Sequence, residues 1–317
     1  MMKFRTEINI KDYREGLTLV PMEGVTCIGS CFAGNIALKM RQSLWEAATP
    51  FGALYNPLSI AKVFHIALAK EEDRIRLINE SIFEHGGILH TWLGDSSFSA
   101  CSREQVTQNI LSASESLRSS LQNDRILILT FGTAWCYFLS ETPDAIVANC
   151  HKLPSSKFIR RRISVEEILS VWRRLLKQLK EQFPRLEIIL TVSPVRHLKD
   201  GMTGNNLSKA ILHLAVEELC AKYPFCHYFP AYEIMMDDLR DYRFYASDLS
   251  HPSEEALDYI WEKFQECYIN EEGRKKLKEG DNIYRGLAHR SILETEEERS
   301  ARIASLEKRK AALIKRP

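Results

Sequence analysis

Three short and almost uninterrupted apolar segments constrain the fold of this chain most strongly. They are Val25–Ile28, Arg125–Phe131 and Leu186–Val192, and a weaker fourth lies around His227–Tyr232. Strands of a parallel sheet are covered on both faces, so they consist of continuous Ile, Leu and Val instead of alternating apolar and polar residues. We therefore expect these segments to be buried strands of one parallel sheet.

Amphipathic helical patterns lie between the apolar segments. The pairs Ser102 with Gln105 and Ser164 with Glu167 form capping-box patterns, which predict where two helices begin. A third helix is expected from about 206 to 222. The residues expected to face inward on it are Leu207, Ile211, Leu214 and Leu219. Strands that alternate with helices predict an α/β sandwich around a parallel sheet.

The charge balance excludes some classes of partner. The 317 residues include 43 Lys and Arg against 42 Asp and Glu, for a formal net charge of +1. Such a chain has no overall field that attracts nucleic acid or an anionic membrane, so we expect neither as a partner. The first twenty residues carry charges throughout, so we expect no secretory signal there, and no stretch has the length of a membrane span. The eight cysteines lie mostly in apolar segments, as reduced thiols do. We therefore expect a cytoplasmic protein.

The C-terminal tail differs from the rest of the chain. It begins acidic and ends basic, the charge order that a helix dipole favours. We therefore divide the chain into an α/β domain, residues 1–290, and a charged helical extension, residues 291–317. A thin apolar stripe would pack this helix on the domain or on a second subunit of a homo-oligomer, and a solvated, frayed tail is the alternative. The stripe consists of Ile303, Leu306, Leu313 and Ile314.

The first apolar segment leads into a turn that carries two candidate nucleophiles. Gly29 permits a tight turn, Ser30 and Cys31 follow it, and Ile36 and Met40 recur behind them at helical spacing. Ser30 and Cys31 are thus expected at the carboxyl end of a strand and the amino end of a helix. Open parallel sheets bind ligands at that edge, and unpaired N–H groups there stabilise an oxyanion or a thiolate.

A second candidate group lies far downstream, in the segment "SDLSHPS". Pro252 suits the first position of a helix, which makes His251 the expected N-cap, where the helix dipole favours the neutral imidazole that a general base needs. Asp248 lies three residues before His251 and can orient its ring through a hydrogen bond.

Five motifs resemble the GSCFA family, a branch related to the SGNH (GDSL-like) hydrolases. They are "GSCFA" at Gly29–Ala33, "PFGALYNPLSI" at Pro50–Ile60, "LTFGTAW" at Leu129–Trp135, "TVSPVRHLKDG" at Thr191–Gly201 and "SDLSHPS" at Ser247–Ser253. The resemblance covers roughly the first 265 residues and leaves the tail outside. It implies a flavodoxin-like α/β/α fold and ester chemistry on an acylated carbohydrate or a similar small ester. It implies no cofactor.

The register of the resemblance bears on which side chain is the nucleophile. When the "GDS" of SGNH enzymes is laid over "GSC", Cys31 takes the place of the nucleophile and the turn glycine stays in position. A thiol at a helix start and near an imidazole is also expected to ionise near neutral pH. This favours Cys31, with Ser30 as a supporting donor or rival nucleophile. A merely buried cysteine is the alternative.

The oxyanion donors are less defined, because the chain departs from the SGNH pattern. Ala134 stands where those enzymes have an asparagine amide, and a missing oxyanion donor lowers the rate roughly 10²–10³-fold. The backbone N–H groups of residues 31 and 52 are expected to hold the oxyanion. Further candidates for the oxyanion or substrate are Gly52, Asn56, Gly132 and Thr133, although Asn56 before Pro57 is also typical of a helix cap.

Three more residues are candidate substrate contacts. His90 precedes "LGDSSFS", which we interpret as a loop, while Arg196 and His197 follow the end of a predicted strand. We find no ligand set with metal-site spacing and expect no metal. The basic run at 157–162 is expected to be a solvated loop. Two functions remain: an acyl-ester hydrolase or acyltransferase that uses Cys31 or Ser30 with His251 and Asp248, and a non-catalytic carbohydrate- or partner-binding protein.

Overall fold

The computed structural model describes residues 7–13, 16–289 and 294–314. Within these residues the strands are β1 (Val25–Gly29), β2 (Ala47–Ala48), β3 (Ile82–His85), β4 (Ile88–Thr91), β5 (Ile126–Phe131), β6 (Trp135–Leu139), β7 (Ile146–Val147), β8 (Phe158–Arg162), β9 (Glu187–Val192) and β10 (Cys226–Tyr228). The α-helices are α1 (Cys31–Gln42), α2 (Pro57–Leu68), α3 (Glu71–Glu80), α4 (Arg103–Asn123), α5 (Val165–Gln182), α6 (Gly201–Lys222), α7 (Ala231–Glu233), α8 (Glu254–Tyr268), α9 (Glu271–Ala288) and α10 (Glu296–Leu313).

A five-stranded parallel sheet forms the centre of the molecule, in the order β10–β9–β5–β1–β2. Its three middle strands are the three apolar segments of the sequence, so that prediction is confirmed. Numbered among themselves along the chain, the five strands have the order 2-1-3-4-5 of flavodoxin-like folds. The order reverses between β1 and β5, and such a switch point leaves a crevice at the carboxyl ends of the strands.

Each face of the sheet is covered by its own apolar core. Ile28, Leu129 and Leu190 belong to one core, and their strand neighbours Ile128 and Ile189 belong to the other. Successive side chains of a strand point to opposite faces, so a strand buried on both sides must be apolar at every position. The three-layer α/β/α architecture predicted from the sequence is confirmed.

The helix after β9 differs from its prediction. α6 begins at Gly201, several residues earlier than expected, and Leu207 and Leu214 are about half exposed instead of buried. The face that packs on the sheet is the one with the regular helical spacing. It carries Asn205, Ser208, Lys209, Leu212, Ala215, Val216 and Leu219. The first turns of this buried face carry Asn205, Ser208 and Lys209, so the protein encloses polar and charged side chains there.

The basic run is part of a strand, not a solvated loop. It contains β8, which pairs with β6 in a small antiparallel sheet, β7–β6–β8, outside the central one. The Arg160 guanidinium donates two hydrogen bonds of 2.6 Å to Asp200, just before α6. A bidentate pair of this kind needs a fixed strand position, which a solvated loop does not supply.

The C-terminal helix α10 packs on α9 of its own chain. Leu306 is buried against Gly286, and Arg309 donates to Glu279 on α9. The expectation that the tail packs on the domain is therefore confirmed for this helix, and a solvated, frayed tail is wrong for it. The predicted start of the tail lies partly outside the described residues, and association through it remains a prediction. Within the described residues, no helix combines the length and apolar character needed to cross a bilayer.

The turn after β1 gives a test of the fold. Gly29 has φ +140°, and a Cβ atom there would lie 2.2 Å from the Thr130 carbonyl oxygen of β5. We expect Gly29→Ala to lower the free energy of unfolding by about 3 kcal/mol or more, because backbone strain and overpacking add. Gly34→Ala in α1 is the matched control, since nothing lies within 4 Å of its added Cβ. The control should raise stability by about 0.5–1 kcal/mol in urea unfolding, and equal effects of the two changes would contradict this account.

Candidate functional site

The turn between β1 and α1 lies at the switch point of the sheet. The Ser30 N–H donates to the Thr130 carbonyl at 3.1 Å, and the Leu54 N–H donates to the Gly29 carbonyl at 2.7 Å, which ties the turn on two sides. Ser30 is the N-cap of α1, where its hydroxyl accepts from the Phe32 N–H at 3.3 Å. Cys31 is therefore the first residue of the helix. The expected positions of Ser30 and Cys31 are confirmed.

The two candidate nucleophiles differ in their access to a substrate. Ser30 is 2% exposed, whereas Cys31 is only partly buried. Burial raises the pKa of the Cys31 thiol. The N–H groups of Phe32 and Cys31 and the charge of Lys209 lower that pKa, but they do not offset the burial. The expectation that this thiol ionises near neutral pH because it starts a helix is therefore wrong, since loss of water outweighs the helix terminus.

The segment around Asp248 is a tight loop that holds the His251 ring. One carboxylate oxygen of Asp248 accepts from the backbone N–H groups of Ser250 and His251, at 2.9 and 3.0 Å. The other lies 2.6 Å from His251 Nδ1. Leu249 between them has φ +54°, a left-handed conformation that is rare for a branched residue and is typical of functional loops.

These contacts confirm the hydrogen bond expected between Asp248 and His251. Donation from the N–H groups of His251 and Ser250, and from the ring, holds the pKa of Asp248 well below its usual range. A carboxylate at Nδ1 fixes the tautomer in which Nε2 carries the lone pair. Within the described residues, His251 Nε2 has no hydrogen-bond partner, and the side chain is 47% exposed.

The expected helix cap is wrong. Ser253, not His251, is the N-cap of α8, and its side chain accepts from the Ala256 N–H. Pro252 lies before the cap and bridges to Tyr245 in extended conformation. A hydroxyl is a better acceptor for the first N–H groups of a helix than an imidazole ring is. His251 is thus held by its own loop and not by the helix terminus.

Most of the expected oxyanion donors are engaged in other bonds. The N–H groups of Gly132 and Thr133 both donate to the Tyr55 carbonyl, at 2.8 and 2.9 Å. Asn56 is the N-cap of α2, and its amide exchanges two bonds with Ser59, which is the helix-cap alternative. Gly52 has φ +62°, and its N–H makes only a long 3.3 Å turn contact to Thr49. Of these candidates, Gly52 has the least committed donor.

The space around Ala134 is filled from α6. The Ser208 hydroxyl accepts from the Ala134 N–H at 2.8 Å and lies 3.1 Å from Thr133 Oγ1. Thr133 Oγ1 also accepts from the Trp135 N–H. The Thr133 hydroxyl is therefore part of an internal network.

A lysine from the polar face of α6 is buried beneath the site. Lys209 is 1% exposed, and its ammonium donates to the carbonyl oxygens of Gly132 at 2.7 Å and Ser193 at 2.6 Å. Burial lowers the pKa of Lys209 to about 7, while a thiolate at Cys31 acts in the opposite direction. The ammonium thus ties the ends of β5 and β9 together near the turn that carries Ser30 and Cys31.

His197 and Arg196 extend from the end of β9. Burial and the charge of Lys209 lower the pKa of His197 to about 4, so its neutral ring donates from Nε2 to the Gly132 carbonyl at 3.0 Å. The Arg196 N–H donates to the Ser250 carbonyl at 3.0 Å, which joins this segment to the His251 loop. The Arg196 side chain lines a cavity of about 350 Å³.

His90 lies in an aromatic cluster and not at the turn that carries Ser30 and Cys31. Its ring stacks on Phe83, and its Nδ1 is 2.7 Å from the Ser99 hydroxyl. Among the described residues, no hydrogen bond or ring contact joins His90 to residues 30–31 or 248–251. The contacts therefore give it a local role between β3, β4 and the loop that follows, which contains the Gly-Asp-Ser segment expected there.

The sequence patterns did not indicate Lys209 and its neighbours on α6, nor Tyr55. Burial, and after it the charge of a Cys31 thiolate, raises the pKa of Tyr55, whose carbonyl also accepts from Gly132 and Thr133. The positions 205, 208, 209, 212, 215, 216 and 219 continue one helical face, but Leu207, Ile211 and Leu214 define a second face of the same helix. The prediction of Leu207, Ile211, Leu214 and Leu219 followed that second face, and of these four only Leu219 is buried.

Two comparisons with known proteins bear on this site. A model of the GSCFA family matches residues 24–264, which include the turn at Ser30 and Cys31 and the loop from Asp248 to His251. No curated protein matches the chain. Within the described residues, no group of three or more His, Cys, Asp or Glu side chains is placed to hold a metal ion.

The burial of Lys209 predicts a pH dependence of stability. Between about pH 7 and 10.5 the unfolded chain binds the Lys209 proton and the folded chain does not, so this group makes stability rise with pH. The unfolding free energy of the wild type minus that of Lys209→Met should therefore increase by up to about 1.4 kcal/mol per pH unit in that window.

Lys263→Met is the matched control for this measurement. Lys263 is also nearly buried, but its hydrogen bond to Glu7 and the charge of Glu266 outweigh burial and raise its pKa. Its proton is bound in both states below pH 10.5, so the control difference should stay constant with pH in urea unfolding. A flat profile for Lys209→Met as well would show that the buried ammonium keeps its ordinary proton affinity.

Proposed function

The chain belongs to the GSCFA family, and from that premise we propose that it is an acyl-ester hydrolase or O-acyltransferase. The substrate class is an acylated carbohydrate or a similar small ester. The observation that carries the proposal is the Asp248–His251 pair, in which a 2.6 Å bond to Nδ1 leaves Nε2 unpartnered among the described residues. This is the arrangement of a general base that is oriented by a carboxylate.

Cys31 is the nucleophile in this proposal, and Ser30 supports it. Ser30 is buried and its hydroxyl caps α1, whereas Cys31 is partly exposed at the crevice of the switch point. Because burial raises the pKa of Cys31, the thiol holds its proton at neutral pH. The base must therefore remove that proton during the attack, as it does for a serine nucleophile.

The reaction follows from these roles. Cys31 Sγ attacks the ester carbonyl carbon while His251 Nε2 takes the thiol proton, and Asp248 stabilises the imidazolium. The tetrahedral intermediate collapses, the C–O bond breaks, and the imidazolium returns the proton to the leaving alcohol. Water then attacks the thioester and releases the acid, or a sugar hydroxyl attacks it and accepts the acyl group. In both cases His251 takes the proton of the incoming hydroxyl and gives it to the departing thiolate.

The oxyanion is held by backbone donors in this proposal. The N–H of Cys31 belongs to the first turn of α1, where helix N–H groups lack intrahelical acceptors, and the N–H of Gly52 has only a long turn contact. The side-chain amide of SGNH enzymes is absent, and the loss of one such donor lowers the rate roughly 10²–10³-fold. We therefore expect slow turnover compared with those enzymes.

The engaged donors favour a second candidate function. Gly132 and Thr133 donate their N–H groups to Tyr55, and Ser208 occupies the polar space beside Ala134. A site whose oxyanion donors are bonded internally suits a non-catalytic protein that binds a carbohydrate or a protein partner. The two functions differ in whether Cys31 forms a covalent acyl intermediate.

A labelling experiment separates the two functions. The intact protein is treated at neutral pH with a short-chain nitrophenyl ester, and the acyl adduct is mapped by mass spectrometry of peptides. We expect an adduct on Cys31 that disappears in Cys31→Ala and falls roughly 10²-fold or more in His251→Ala, because the base is lost. Ser30→Ala should retain the adduct, and Ser253→Ala, which removes only the cap of α8, is the control for loop stability.

The outcomes of this experiment are distinct. An adduct on Ser30 would assign the nucleophile to the serine. Absence of labelling at both residues, or labelling of Cys31 that is equal in His251→Ala, would overturn the enzymatic proposal and favour the binding function.

A further inference from the structure

Lys209 is a buried charge without a carboxylate partner. Its side chain is 1% exposed, and within the described residues it forms no ion pair. Two carbonyl oxygens accept from its ammonium, and no third acceptor is present among the described residues. A buried ammonium is costly unless an anion compensates it. The other nearly buried lysine, Lys263, illustrates this rule, because Glu7 and Glu266 pair with it.

The groups around Lys209 point to the anion that is missing. Arg196 and the neutral rings of His197 and His213 lie within reach of its charge, and the Tyr232 ring is 5.6 Å from the ammonium. None of these groups is an anion at neutral pH. Cys31 is the acidic group that acts on Lys209, and Lys209 in turn acts on Cys31.

The backbone connects the two groups directly. The Gly132 carbonyl accepts from Lys209, and a Cβ atom on Gly132 would lie 3.2 Å from the Ser30 side chain. Gly132 therefore lies between the ammonium and the turn that carries Ser30 and Cys31. The position of Gly132 is also fixed, since its N–H donates to the Tyr55 carbonyl and its own carbonyl accepts from His197 as well.

We propose that Lys209 is the buried counter-charge for the anion that forms at Cys31. The inference rests on the proposed function, because an anion at Cys31 has a catalytic role only in an enzyme. Its test does not require catalytic activity. Lys209 keeps its own proton, and the thiol proton leaves for His251 Nε2 or for water. It is a positioning residue, because it acts through the Cys31 thiolate and the Gly132 carbonyl and touches no substrate.

The proposal predicts how fast Cys31 reacts with iodoacetamide, a neutral reagent that reports the thiolate. The rate is measured by mass spectrometry of the Cys31 peptide, so the other cysteines do not interfere. While Lys209 is protonated, its charge favours the thiolate, and Lys209→Met should react roughly tenfold more slowly near pH 6. Once Lys209 is neutral, near about pH 9, the two rates should agree. The ratio of the two rates thus depends on the fraction of Lys209 that is protonated.

A purely structural role of Lys209 gives a different result. Loosened packing would change the alkylation rate by the same factor at every pH, and such a constant ratio overturns the proposal. Lys263→Met is the control and should match the wild type throughout. Lys209→Arg keeps a charge at all pH values, so it should restore the rate near about pH 6 and keep it above that of Lys209→Met near about pH 9.

The wild type alone also tests the proposal, in case the variants do not fold. If Cys31 and Lys209 are coupled, the thiolate population rises with pH, levels off while Lys209 loses its proton, and then rises again. A rate profile with no such plateau overturns the proposal. Burial lowers the pKa values of His197 and His213 to about 4, so their titration does not produce it. The same profile in His251→Ala must retain the plateau, and its loss there would assign the coupling to His251.

The test separates this inference from the proposed function. Alkylation requires no ester, so a plateau without acyl labelling would support the Lys209–Cys31 pair in a binding protein. Acyl labelling without a plateau would support the enzyme and overturn the role of Lys209.

Discussion

The close approach of Gly29 to the Thr130 carbonyl is the constraint on which the rest of the structure depends. It brings the end of β1 against β5 at the one place where the strand order reverses, and it leaves no room for a Cβ atom. The chain then turns so that Ser30 caps α1 and Cys31 begins it. Every other part of the candidate site is defined by its relation to this turn.

The site has two sides with different physical character. On the outer side, Asp248 and His251 are about half exposed and are held by a strained loop at Leu249. On the inner side, Lys209 is buried and bonds the two strand ends through carbonyl oxygens. Water screens the outer charges, whereas burial strengthens the effect of the inner charge. The Asp248–His251 pair and Lys209 thus differ in their access to solvent.

Several of the expected oxyanion donors are already bonded within the protein, because other acceptors compete for them. Gly132, Thr133 and Asn56 are polar and lie near the expected edge, but their donors are satisfied by Tyr55 and Ser59. A sequence indicates which groups can donate, while the packed structure determines which donors are already used. The thiol of Cys31 shows the same competition, because burial outweighs the helix terminus.

The sequence by itself determined the central architecture and the two ends of the site. Continuous apolar strands have one stable environment, a sheet covered on both faces, and local spacing is sufficient for the Asp248–His251 bond. The tertiary structure alone decided which face of α6 is buried, and therefore that Lys209 lies beneath Cys31. The physical reason is that burial and the partner of a charge depend on residues far apart in the chain. Composition and periodicity describe each element alone, so they identify the strands and helices but not which polar groups the packed core encloses.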